Sequence, residues 1–230
     1  MSKMGWLILI IVIAAVVFGP MLWVRWVMQS HSEEIDSMPG TGGELARHLL
    51  EKFAIEAGVE ASEVGDHYDP AEKMVRLSPA NFAGKSLTAV AVAAHEVGHA
   101  IQHHRNDRRL QMRTSLIPVA NVIARVSSGM IWAAPIVGLV TRHPVPFSFL
   151  VFLGLSGLLV RMLVHLVTLP TEFDASFGKA LPLLTEGKYI APGEEVVVRR
   201  ILRAAAMTYV AAALADVLNL ARWAALLLRR

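Results

Sequence analysis

The chain has 230 residues, of which 54% are hydrophobic and 18% are charged, and its mean hydropathy is +0.48. This composition excludes a disordered protein, and the absence of cysteine excludes disulfides and thiolate metal sites. The net charge of +3 is too small to indicate nucleic-acid binding, and the basic residues form no stripe interleaved with aromatic ones.

The charged side chains are unevenly distributed, which predicts soluble segments that alternate with membrane spans. Residues 30–113 carry 22 of the 41 charged side chains, whereas residues 114–169 carry three. The uncharged run 4–24 is long enough to cross a bilayer and longer than the apolar core of a cleaved signal peptide, so we predict an anchor. Further spans are predicted in 116–169, as a hairpin around a proline-containing turn, and in 204–228.

The soluble segments contain patterns of both helices and strands. We predict a helix over residues 42–58 that ends at Gly58, and a β-hairpin whose turn is 69–73. A second helix is predicted over 86–104. After the membrane hairpin, a further helix is expected to start at Pro170, since proline is tolerated in a first helical turn.

Residues 95–99 read His-Glu-Val-Gly-His and lie within the helix predicted over 86–104. Side chains four residues apart lie on one face of a helix, about 6 Å apart along its axis, so His95 and His99 can bind one zinc ion. Glu96 is adjacent to the first ligand and can act as a general base toward a zinc-activated water. The pattern therefore predicts one catalytic Zn²⁺ and names Glu96 as the catalytic residue.

A catalytic zinc ion needs a third protein ligand. His103 is excluded because it lies about 12 Å along the same helix from His95. His67, in the predicted β-hairpin, is the weaker candidate, and Glu172, just after the membrane hairpin, is the stronger one. Glu172 has a second interpretation, the stabilisation of a helix N-terminus, and spacing alone does not choose between the two.

Several motifs in the same order resemble the YugP-type family of membrane-bound neutral zinc metallopeptidases. They occupy residues 41–47, 66–70, 75–79, 91–102, 169–176 and 204–211. The chain is more distantly similar to HtpX-type and CAAX-processing membrane peptidases, gluzincins whose third ligand is the glutamate of an E-x-x-x-D stretch. This resemblance implies Glu172 as the third ligand. Position 176 is serine where the pattern has an aspartate that orients a ligand histidine, so Ser176 or Asp174 is the candidate for that task.

Together these observations predict a mainly α membrane protein with about four transmembrane helices and a zincin-like α+β catalytic unit that carries a small β-hairpin. The predicted domains are an N-terminal anchor (1–28), a first catalytic part (29–115), a transmembrane hairpin (116–169), a second catalytic part (170–203) and a C-terminal transmembrane helix (204–230).

The predicted function is that of a membrane-anchored zinc metalloendopeptidase, acting on a protein or peptide substrate at the bilayer surface. Two alternatives stay open. An intramembrane site-2-type protease would use Asp216 as a ligand, but the uncharged run 86–94 is too short to bring the motif into the membrane. A non-catalytic zinc-binding scaffold would have no need for Glu96. The sequence does not predict the oligomeric state.

The basic residues near the predicted spans indicate the orientation of the chain. Seven arginines lie on the side of the motif, at positions 105, 108, 109, 113, 199, 200 and 203, against Lys3, Arg142, Arg229 and Arg230 on the other side. The positive-inside rule then predicts an active site that faces the cytoplasm. The family resemblance implies that the membrane is the bacterial inner membrane.

Three further roles are expected. In the peptidases that the chain resembles, an exposed strand before the metal helix pairs with the substrate backbone. Residues 75–77 are the candidate for this strand. A donor to the oxyanion is also required, with the candidates His67, Tyr209, Arg199, Arg200 and Arg203. Asp216 is expected to pair with Arg125 or Arg161 inside the membrane.

Overall fold

The computed structural model describes residues 3–228, apart from the side chains at positions 3, 6–10, 13, 16–17 and 216–228. Within these residues the chain is mostly helical and has one three-stranded sheet. Contacts divide it into two units. The mixed unit comprises residues 22–111 and 169–208, and the helical unit comprises the described parts of 1–21, 112–168 and 209–230.

The helical unit is formed by parts of four long helices. They are α1 (Lys3–Ser30), α5 (Arg108–Thr141), α6 (Pro144–Phe173) and α8 (Glu195–Leu228). Among the described residues, two helical stretches are long and apolar enough to cross a membrane, Arg108–Thr141 and Pro144–Glu186. These coincide with the predicted hairpin. The spans predicted at 4–24 and 204–228 stay predictions, since part of each lies outside the described side chains.

Helices α5 and α6 pack through small residues. A Cβ added at Gly157 would overlap Ser127, and one added at Gly154 would lie 2.9 Å from the Ser127 carbonyl oxygen. Such close approach is typical of helices that associate in lipid, where small residues let backbones touch.

The prediction that a helix begins at Pro170 was wrong, because α6 continues through Pro170 to Phe173. Proline removes one helical hydrogen bond without necessarily ending the helix.

Helix α4 (Leu87–His104) is the centre of the mixed unit. Every residue from Leu87 to Gln102 is buried, and Ser86 caps the helix by accepting a hydrogen bond from the Ala89 amide at 3.1 Å. Around it lie α2 (Gly42–Lys52), α3 (Pro79–Ala83), a π-helix (Asp174–Ala180) and α7 (Leu181–Glu186). Their apolar faces form one continuous core with α4.

Helix α2 is shorter than predicted. It ends at Lys52, Ala54 takes a left-handed conformation with φ of 52°, and Gly58 begins a strand. The amide of Gly58 donates to the Lys73 carbonyl at 2.9 Å, which draws this segment into the sheet. The prediction that Gly58 ends the helix was therefore wrong.

The sheet has the strand order β1–β3–β2, with β1 (Gly58–Ala61), β2 (His67–Asp69) and β3 (Met74–Leu77). Strands β2 and β3 form the predicted antiparallel hairpin, and β1 runs parallel to β3 on its other side. Both edges of β3 are therefore occupied. The expectation that residues 75–77 pair with a substrate was wrong, because β3 has no free edge at which a peptide could add.

Gly98 sets how closely α4 approaches the π-helix. A Cβ at this position would lie 2.7 Å from the carbonyl oxygen of Ala175, closer than real Cβ contacts come. The second variable position of the motif is thus a packing requirement, since any larger residue would push the two helices apart.

We expect Gly98→Ala to destabilise the protein by about 1–3 kcal/mol, since the added methyl group forces the two backbones apart. A control is Gly129→Ala in α5, where no described atom of another helix lies within 4 Å of the added Cβ. Alanine is there expected to be neutral or favourable, since glycine weakens a helix interior. Thermal unfolding in detergent checks both, and equal melting temperatures for the two variants would contradict the packing argument.

Candidate metal centre

Three side chains converge inside the mixed unit. The Nε2 atoms of His95 and His99 lie 3.4 and 3.3 Å from the same atom, Oε2 of Glu172. One ligand atom from each residue lies within 4.8 Å of the other two. All three side chains are buried, with Glu172 and His99 each 1% exposed. The structure thus brings together the two motif histidines and the acidic residue favoured at the sequence level.

The hydrogen bonds of His95 determine which of its nitrogens carries the proton. Its Nδ1 lies 3.0 Å from the hydroxyl of Ser176, which is itself 3.1 Å from the Leu202 carbonyl oxygen. A carbonyl only accepts, so the single hydroxyl proton of Ser176 is directed to Leu202. The hydroxyl oxygen then accepts from Nδ1–H of His95. Nε2 of His95 therefore keeps its lone pair and faces Glu172.

The same reasoning applies to His99. Its Nδ1 lies 2.9 Å from Oε1 of Gln102, and the Gln102 amide nitrogen donates to the Thr171 carbonyl oxygen and to Asp174. The amide oxygen is therefore the atom that faces the ring, and His99 donates from Nδ1. Both histidines present unprotonated Nε2 atoms to the centre of the cluster.

This donor set fits a divalent cation. Two imidazole lone pairs and a carboxylate directed at one point, shielded from water, repel one another and are costly to bury unless a cation lies among them. Nitrogen and oxygen ligands of this kind, with two histidines and one carboxylate, are the set found in catalytic zinc sites. His95, His99 and Glu172 therefore form a cluster that could bind a metal ion.

Glu96 follows His95 on α4 and is buried, with 7% of its surface exposed. A residue next to the first histidine points about 100° around the helix from it, so Glu96 flanks the histidine pair and leaves the pair's own face to the metal ligands. A carboxylate held there in a dry environment is suited to accept a proton from a group that reacts at the centre.

The remaining candidate residues lie elsewhere. His67, on β2, is bonded through Nδ1 to the Gly65 carbonyl oxygen at 3.1 Å and is not in the cluster. His103 is bonded to the Tyr68 hydroxyl at 2.8 Å and so connects α4 to the sheet. Burial, with a smaller contribution from the charge of Asp69, raises the pKa of Tyr68 to about 12, which keeps the hydroxyl protonated.

The contacts of the candidate oxyanion donors do not identify which of them would act. Arg199 is exposed and pairs with Glu195 at 2.7 Å, and Arg200 and Arg203 are exposed as well. Tyr209 belongs to the helical unit, where it is bonded to Arg113. The side chain of Asp216 lies outside the described residues, so its pairing with Arg125 or Arg161 stays a prediction.

Gln102 is the residue of this centre that sequence reasoning missed. It is 1% exposed and lies three residues after His99, so the two share a face of α4. That spacing is the only local signal, and it is weak, because a glutamine near a helix end usually faces solvent. The partners that give Gln102 its importance, Thr171 and Asp174, are about 70 residues away in the sequence.

Comparisons with known proteins agree with this geometry. Residues 6–228 match the model of a family described as "Putative neutral zinc metallopeptidase". The chain is 32% identical over 222 residues to a protein of Bacillus subtilis (strain 168) named "Putative membrane protease YugP". That alignment covers 94% of this chain and 95% of the relative. No solved structure matches the chain.

We expect Ser176→Ala to lower zinc affinity about 10–100-fold, the usual effect of removing a group that orients a ligand histidine. Without the hydroxyl, Nδ1–H of His95 loses its acceptor and the ring can carry its proton on Nε2, where a cation must bind. Competition with a chelator measures the dissociation constant. Ser156→Ala, at a half-buried serine that donates to the Phe152 carbonyl, is the matched control and should leave the constant unchanged.

Proposed function

Because the chain belongs to the neutral zinc metallopeptidase family whose model matches residues 6–228, we propose that it is a membrane-anchored, zinc-dependent endopeptidase. The observation that carries the proposal is the convergence of the His95 and His99 Nε2 atoms on one buried carboxylate oxygen of Glu172. A relative named as a membrane protease, together with two helices able to cross a bilayer, supports a peptide substrate met at the membrane surface.

In this proposal His95, His99 and Glu172 hold one zinc ion. Zinc in such a site polarises a carbonyl group and lowers the pKa of water to about 7. Ser176 and Gln102 keep both histidines in the tautomer that binds a cation. The buried surroundings of the three ligands exclude bulk water and so strengthen each electrostatic interaction in the site.

Glu96 is the general base of the proposed reaction. Its carboxylate takes the proton from the water that attacks the peptide carbonyl and then delivers that proton to the leaving amine nitrogen. The proposal also keeps the predicted division of the chain, in which residues 29–115 and 170–203 are the two parts of one catalytic unit.

The first test replaces Glu96 and Glu172 in two separate variants. Glu96→Gln should keep zinc at one ion per chain and lose peptide cleavage, by about 100-fold or more, because the base is gone while the ligands stay. Glu172→Ala should weaken zinc binding. Metal content and cleavage of a labelled unstructured protein such as casein give the two readouts.

Glu63→Gln is the matched control for this test, since Glu63 is exposed on a loop. It should alter neither readout. Cleavage that survives in Glu96→Gln would refute the assigned base. Loss of zinc in Asp216→Ala, with zinc kept in Glu172→Ala, would favour an intramembrane protease. Zinc binding without cleavage of any peptide by the wild-type chain would favour a non-catalytic scaffold.

A second test addresses the proposed cytoplasmic active site. The chain has no cysteine, so a single introduced thiol can be labelled selectively. Val64 and Val145 are 88% and 64% exposed, in a loop of the mixed unit and in the first turn of α6. In intact cells an impermeant thiol reagent should label Val145→Cys and leave Val64→Cys unlabelled. The reverse pattern would place the active site on the outer side of the membrane.

A further inference from the structure

We propose that Gln102 is the positioning residue for His99, and that an ion pair between Asp174 and Lys179 fixes the orientation of its amide. The inference rests on the proposed function, because it concerns how one zinc ligand is held. It gives a role to three side chains outside the five-residue motif.

The amide of Gln102 can take only one orientation. Its nitrogen donates to the Thr171 carbonyl oxygen at 3.0 Å and to Oδ2 of Asp174 at 2.8 Å. An amide turned over would place its oxygen against these two acceptors and its nitrogen against His99. The two hydrogen bonds that the amide donates, one buried and one partly buried, would be lost together, and its oxygen would face two acceptors, which is far more costly than the loss of one exposed bond.

A fixed amide fixes the histidine. Because Oε1 of Gln102 is an acceptor, His99 must donate from Nδ1, and its Nε2 is kept as a lone pair 3.3 Å from Glu172. Gln102 is on the same helix as His99, so the bond also holds the ring at one angle to the helix axis. The glutamine therefore controls both the tautomer and the direction of the ligand.

The carboxylate of Asp174 is held by the π-helix. Lys179 donates to Oδ1 and Oδ2 of Asp174 at 3.0 and 2.9 Å. Residues five apart are aligned in a π-helix, whose hydrogen bonds run from i to i+5. Gly178 leaves space for the carboxylate, since an added Cβ would overlap Oδ1 of Asp174. The side chains of Lys179 and Asp174 are 18% and 26% exposed, so the ion pair lies at the edge of the buried centre.

The two candidates for orienting a ligand, Ser176 and Asp174, thus have separate tasks. Ser176 bonds directly to His95, whereas Asp174 acts on His99 through Gln102. We call this series of hydrogen-bonded side chains, Lys179, Asp174, Gln102 and His99, the relay.

The test is a charge-balanced double-mutant cycle in the full-length protein in detergent. Gln102→Glu should lower zinc affinity about tenfold or more, because its second carboxylate oxygen faces Asp174 and the Thr171 carbonyl. In the double variant Gln102→Glu/Asp174→Asn, the asparagine amide can donate to the carboxylate introduced at position 102. Most of the lost zinc affinity should then be recovered. Such recovery is a coupling that two independent structural effects would not produce. Gln111→Glu, at an exposed glutamine, is the matched control.

Gly178→Ala is a second, milder variant. Gly178 is exposed and helical, so alanine should leave the melting temperature unchanged or higher. The added methyl group displaces the Asp174 carboxylate, and zinc affinity should fall. If the relay had only a structural role, zinc affinity would change in step with the melting temperature, and Gly178→Ala would not lower the affinity.

The tautomer of His99 gives a readout that does not need zinc. In the metal-free wild-type protein, nitrogen-15 NMR of labelled histidines should show His99 protonated at Nδ1, and Gln102→Met should shift it toward Nε2. An unchanged tautomer in Gln102→Met, or strictly additive affinities in the cycle, would overturn the relay. Absence of zinc from the wild-type protein would instead refute the proposed function, and the tautomer would still test the relay.

Discussion

Two imidazole lone pairs and a carboxylate meet at one point away from water, and the organisation of the mixed unit depends on this arrangement. Charges and lone pairs of this kind repel one another unless a cation separates them, so the surrounding protein must hold them in place. Helix α4 does so by being buried from Leu87 to Gln102, which leaves its side chains little freedom to turn. The hydrogen bonds on the outer nitrogens of His95 and His99 complete the restraint.

The π-helix is the second element on which the centre depends. It begins two residues after Glu172 and supplies Asp174 and Ser176, which act on different histidines. Its backbone comes so close to α4 that only glycine fits at position 98. Segments of π-helix are rare and frequently occur at functional sites, because the widened turn changes which residues share a face. Here the widened turn aligns Asp174 with Lys179.

Much of the centre was accessible from the sequence because its signal is local. The i, i+4 spacing of His95 and His99 identifies a helix face, and the family resemblance added Glu172. The β2–β3 hairpin was also predicted from its turn. By contrast, the parallel pairing of β1 with β3 joins segments that no turn connects, and no local pattern reports it. The role of residues 75–77 was wrong for that reason.

The sequence also misled at Gln102 and at Pro170. Gln102 looks like a solvated residue at a helix end until its partners from another part of the chain are in place. Pro170 looks like a helix start because proline favours first turns, yet the hydrogen bonds on either side carry α6 onward to Phe173. The deciding contacts are distant in sequence for Gln102, whereas at Pro170 they are the helix's own hydrogen bonds.

The separation between Ser176 and His95, 81 residues in the chain, has a consequence for biosynthesis. A ribosome delivers α4 first, then α5 and most of α6, and only afterwards Glu172 near the end of α6 and the π-helix that follows it. Until then the nascent chain has two of the three ligands and no complete centre. On the function proposed, proteolytic capacity would therefore arise only after both Glu172 and Ser176 have been made.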